Sequence, residues 1–214
     1  MNTTPTNTPN PSALEKCTEC TKKHLLAALS HLTDLEAEAE VRENRDLSDL
    51  PSFPAMVSFE LANIYKAEAE DYGGNFTRLY LSELIRLEEC FANAGLREAR
   101  RYTRRLRKGE AGFALEALRL QYLYDHRDFR HVYPERAVAR ALAHIHEARR
   151  EAPIGLREDC ALSRKLYILT HTVESVAAAY DKVACLDAIR DVYDVLDELD
   201  ELADLFAEDA NGQP

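Results

Sequence analysis

The chain has 214 residues, 46% of them hydrophobic, which is enough apolar surface for one helical domain or two small ones and excludes a chain disordered throughout. Its formal charge of −11 argues against polyanion binding by the protein as a whole. No run approaches the ~18 consecutive apolar residues of a spanning helix, no charged and apolar leader opens the sequence, and five cysteines make an odd count; a cytoplasmic protein without membrane or disulfide framework is expected.

Gly and Pro are scarce, at seven and eight, and Pro5, Pro9, Pro11 and Pro214 lie in the tails. Leu, Ala, Glu and Arg lose least on entering a helix, and they dominate. The expected fold is all-α, a multi-helix bundle of about six to eight helices. Residues 1–11 read as a disordered tail, 12–209 as the bundle with sub-units 12–108 and 110–209, and 210–214 as a second tail.

Ser12-Ala13-Leu14-Glu15 has the form of a capping box, and Leu25, Ala28, Leu29, Leu32, Leu35 and Ala39 continue from it at helical spacing. After Pro51 and Pro54 a second helix is expected over 56–71, closed by Gly73-Gly74, and Asn75 is a suitable cap for a third over 76–94. A basic fourth segment spans 96–108, and a fifth helix is expected over 110–126. Pro134 opens a sixth that Pro153 and Gly155 end. One or two long helices fill the last third, where Leu186, Ile189, Val192, Leu196, Leu199, Ala203 and Phe206 suit either a partner helix or the bundle's own core.

Charge is unevenly spread. Residues 187–209 carry ten acids against Arg190, and 97–108 carry seven bases against Glu98. Arg100, Arg101, Arg104, Arg105 and Lys108 fall three to four apart and would line one side of a helix, as a patch for nucleic acid or an acidic partner requires; a solvated face has the same pattern.

Cys17-x-x-Cys20-x-x-x-His24 is the strongest local motif. Thiolate and imidazole are zinc's preferred donors, so Cys17, Cys20 and His24 are candidate zinc ligands, with buried reduced thiols as the alternative. On a helix these residues and His31 form one stripe beside the apolar face, yet Cys17 and His24 differ by about 10 Å in rise. One ion takes all three only if Cys17 sits in a turn before the helix. His144-x-x-Glu147 and His171-x-x-Glu174 put His and Glu on one helix face and read as ion pairs or hydrogen bonds before they read as ligands. Glu40-x-x-Glu43 and Glu68-x-x-Asp71 imitate the magnesium-binding carboxylate spacing of MazG-type all-α nucleotide pyrophosphatases.

From Cys17-x-x-Cys20-x-x-Lys23-His24-Leu25 to the helix Phe59-Glu60-Leu61-Ala62 and onward to Asp71, the chain resembles small uncharacterised helical bacteriophage proteins. The resemblance covers residues 13–75 and implies a helical hairpin and no catalysis; Glu60-Leu61 stands where those proteins have Gly-His. Residues 137–152 and 166–180 read as loose echoes of the same unit. The expected function is a non-catalytic interaction or regulatory protein, self-associating or bound to a protein partner, as a phage accessory factor would be. The alternative is a metal-dependent helical nucleotide phosphohydrolase.

Overall fold

The structure, a computed structural model, describes residues 11–41, 52–119, 132–153, 160–178 and 180–211. Among these residues the regular structure is entirely helical. Helix α1 spans Pro11–Val41, α2 Ser52–Tyr72, α3 Gly74–Asn93 and α4 Arg97–Arg107. A helical stretch at 115–119, α5, leads to residues outside the description. Helices α6, Val132–Glu151, α7, Ala161–Ala178, and α8, Lys182–Asn211, complete the chain. None of the described helices is long and apolar enough to cross a membrane. Of the expected tails, 1–11 and 210–214, Pro11 belongs to α1 and residues 210–211 to α8, while 1–10 and 212–214, and the capping-box side chains, lie outside the described residues.

Two boundaries differ from expectation for physical reasons. Helix α3 begins at Gly74 rather than behind an Asn75 cap, because Gly73 (φ 64°) serves both helices. Its N–H donates to the Ala69 carbonyl at 3.0 Å, closing α2, and its carbonyl accepts from the Phe76 N–H at 3.2 Å. A Cβ would meet no atom there, so glycine is required by the positive φ alone. The fifth helix starts at 115 instead of 110. Residues 110–114 fold back onto α4 through Gly112 (φ 86°), where the Tyr102 hydroxyl accepts the Ala114 N–H (3.1 Å) and its ring meets Phe113 edge-on.

The apolar stripes pack into two cores. The larger takes Leu25, Ala28, Leu32 and Leu35 from α1, Val138, Leu142 and Ile145 from α6, Leu166 and Leu169 from α7, and Val192 and Leu199 from α8. The smaller holds Leu84, Leu87 and Phe91 of α3 against Leu115 and Leu118. Helix α2 belongs to both, with Phe53, Val57, Leu61 and Tyr65 turned to the first and Met56, Phe59 and Ala62 to the second. The cores therefore do not follow chain order: α1 lies with α6 to α8. Of the α8 stripe, Val192 and Leu199 are buried and Ile189, Leu196 and Ala203 half-buried, so most of that spacing serves the bundle's own core; Leu186 is exposed, and the Phe206 side chain lies outside the described residues.

Candidate functional site: a histidine-lined cleft

Helices α1, α2 and α6 enclose a cleft of about 690 Å³, within the range of small-molecule sites. Each helix contributes residues one or two turns apart, beside its buried stripe. Helix α1 supplies His24 and His31, flanking Leu25, Ala28 and Leu32. Helix α6 supplies Arg140, His144 and Glu147 while Leu142, Ile145 and Ala148 face the core. Helix α2 brings Ile64, Tyr65, Glu68 and Tyr72, and Phe76 closes one end.

The three imidazoles form a ladder. His144 lies between the other two, its Nδ1 3.3 Å from Nδ1 of His24 and its ring stacked on His31 with centroids 5.9 Å apart. Burial, then the neighbouring His24 and His31 and the Arg140 guanidinium, push the His144 pKa down to about 4. Burial and Arg140 also lower that of His31, against a smaller opposing effect from Asp34. His144 is thus a neutral ring at pH 7, with one nitrogen to donate and one to accept. Arg150 is engaged already, pairing with Glu147 (2.6 Å) and Glu151 (2.7 Å) over the Phe76 ring. Arg140 has no carboxylate partner among the described residues.

Behind the cleft lies a buried polar chain. The Tyr65 hydroxyl is 2.5 Å from Nδ1 of His146, and burial, reinforced by Glu83, raises the phenol's pKa, so the phenol stays protonated and shares a hydrogen bond with the ring. Burial, and then Arg86, drive His146 down to about 4. Arg86 bridges Glu174 (2.6 Å) and Glu83 (3.4 Å). Glu83 is 2% exposed and one of its carboxylate oxygens has no hydrogen-bond partner. Burial raises its pKa against the opposing pull of Arg86 and the Ser58 hydrogen bond. Since the charged form is the costly one, Glu83→Gln should leave stability at pH 7 unchanged or raise it by about 1 kcal/mol. Urea denaturation checks this; a loss of similar size would show that pairing with Arg86 outweighs burial.

The expected site residues are placed as follows. Helix α1 is unbroken from Pro11, so Cys17 is not in a preceding turn, and Cys17, Cys20 and His24 do not converge. Both cysteines are half-buried free thiols, and the Cys17 carbonyl accepts a 2.8 Å hydrogen bond from Thr21. Among the described residues no group of three or more His, Cys, Asp or Glu side chains is placed to hold one ion. His24 instead meets His144, joining two motifs that the sequence keeps apart. His171 pairs with Glu174 at 3.1 Å on the surface. Glu68 reaches the cleft and Asp71 is exposed, while the Glu40 side chain and Glu43 lie outside the described residues.

The basic segment stays at the surface, but much of its charge is paired. Arg100 (3.5 Å), Arg104 and Arg107 (3.4 Å) gather on Glu88 of α3, and Arg105 pairs with Glu110 (2.6 Å) while lying over the Phe113 ring. Arg101 and Lys108 are exposed. The acids of α8 find other partners, with Asp200 paired to Lys22 (2.6 Å) and Glu198 to Lys165 (2.7 Å). Sequence reasoning missed Tyr65, Arg140, His146 and the Glu83–Arg86 pair. The spacing of Arg140, His144 and Glu147 was a usable signal; a tyrosine and a glutamate on apolar helix faces gave none.

The chain matches no family model, no curated protein and no solved structure.

Proposed function

We propose that the protein is a non-catalytic binding protein whose cleft between α1, α2 and α6 takes a small anionic molecule bearing an aromatic ring. The observation that carries this reading is that aromatic and apolar side chains share one cleft with Arg140, which has no carboxylate partner among the described residues. Ile64 and Tyr72 offer apolar and aromatic surface beside Phe76, and Arg140 and the three imidazoles line the same cleft, together with Glu68 and Glu147. A ring would stack on the aromatic side chains, and a carboxylate or phosphate would pair with Arg140 and accept hydrogen bonds from imidazole N–H groups. Binding is favoured over chemistry because, among the described residues, neither Ser nor Cys lines the cleft beside a histidine that could activate it.

Phenyl phosphate is a suitable probe, compared with inorganic phosphate and benzyl alcohol in chelator-containing buffer. At about ten times its Kd, phenyl phosphate should raise Tm by roughly 3 °C, each half alone should do less, and Arg140→Ala should remove the rise. Equal responses to phenyl phosphate and inorganic phosphate, or an unchanged response in Arg140→Ala, would refute the reading.

A further inference from the structure

We infer that the facing imidazoles of His24 and His144 form a two-histidine site for a borderline divalent transition ion such as zinc. The two Nδ1 atoms are 3.3 Å apart. Nitrogen donors bind zinc at 2.0–2.1 Å, so an ion equidistant from both would see them at an angle of about 105–110°, that of a tetrahedral site. Two neutral rings at this distance can instead share one N–H···N hydrogen bond, which requires opposite tautomers; for a metal ion to take both Nδ1 lone pairs, the donor ring shifts its proton to Nε2 through solvent.

Several features beyond the distance support the assignment. The donors stand on two different long helices packed on the larger core, so their separation is held by the fold rather than by a loop. Glu68 and Glu147 line the same cleft as Arg140 and Arg150, so its lining carries no net formal charge against a cation. With no third ligand in place among the described residues, the remaining coordination positions are open to water or to an anion, giving an exchangeable ion rather than a closed structural one. Imidazole donors favour zinc, nickel or copper over magnesium or calcium.

The inference does not depend on the organic ligand proposed above, because zinc is titrated in its absence and phenyl phosphate is tested with chelator. The experiment is zinc chloride titration of the reduced full chain at pH 7.5, followed by equilibrium dialysis. One zinc per chain is expected in the wild type and equally in a Cys17→Ser, Cys20→Ser double variant. His24→Gln and His144→Gln should each weaken binding roughly tenfold or more, with Tm in chelator showing that the variants are folded. In ¹⁵N-labelled wild type, one equivalent of zinc should shift the ring nitrogens of His24 and His144, a readout that needs no variant. Zinc that is lost with the cysteines and kept in His144→Gln would overturn the inference, as would ring resonances that do not move.

Discussion

Taking the protein from pH 7 to pH 5 in chelator-containing buffer lowers its unfolding free energy by about 2 kcal/mol through His146 alone. The His146 pKa is depressed from an ordinary 6.5 to about 4, first by burial and then by Arg86. A depressed pKa means that the unfolded chain takes up the proton first. The stability is therefore fully present above pH 6.5 and is lost as pH falls toward 4. His144, also held near 4, acts in the same direction, with a smaller effect because it is more exposed. Glu83 opposes them weakly: its raised pKa adds stability as pH falls toward the ordinary carboxyl range. Urea denaturation at both pH values measures the net change, and His146→Asn should remove most of the His146 share. A flat profile would mean that Tyr65 and His146 are not packed together as described.

Ile145→Ala is expected to cost about 3 kcal/mol of stability, with Ile145→Val costing about 1. Ile145 is fully buried in the larger core, between His144 on the cleft and His146 on the polar chain. The alanine variant loses three carbons' worth of burial and leaves a void in a close-packed interior. Equilibrium denaturation should show a lower midpoint at unchanged m-value. A cost below 1 kcal/mol for the alanine variant would imply that α6 is rotated, with a different face toward α1.

The helices were legible because their signals are local. Gly73-Gly74 and the scarcity of breakers elsewhere act on backbone within a few residues, and the placement of His24 and His31 beside the α1 apolar stripe follows from 100° per residue. What each stripe faces is not local. The His24–His144 contact joins residues 120 apart, and periodicity holds no information about such a pairing. The zinc reading of Cys17 and Cys20 rested on donor type, which cannot decide whether the donors converge. That three arginines of α4 are paired at the surface was hidden because Glu88, which gathers them, lies on a different helix. Glu83 and Tyr65 stayed hidden for another reason: a polar residue on an apolar face looks like a break in the pattern until its buried partners are known.

The sharing of α2 between the two cores bears on the order in which the protein assembles during synthesis. Helices α2, α3 and α4 contact one another in sequence and can pair as they emerge. Helix α1 cannot, because its main neighbours are α6 and α8. Leu25, Ala28, Leu32 and Leu35 have nothing to cover them fully until most of the chain has been made. Helix α1 is thus made well before the helices that shelter it, and its apolar stripe needs protection from aggregation in the nascent protein.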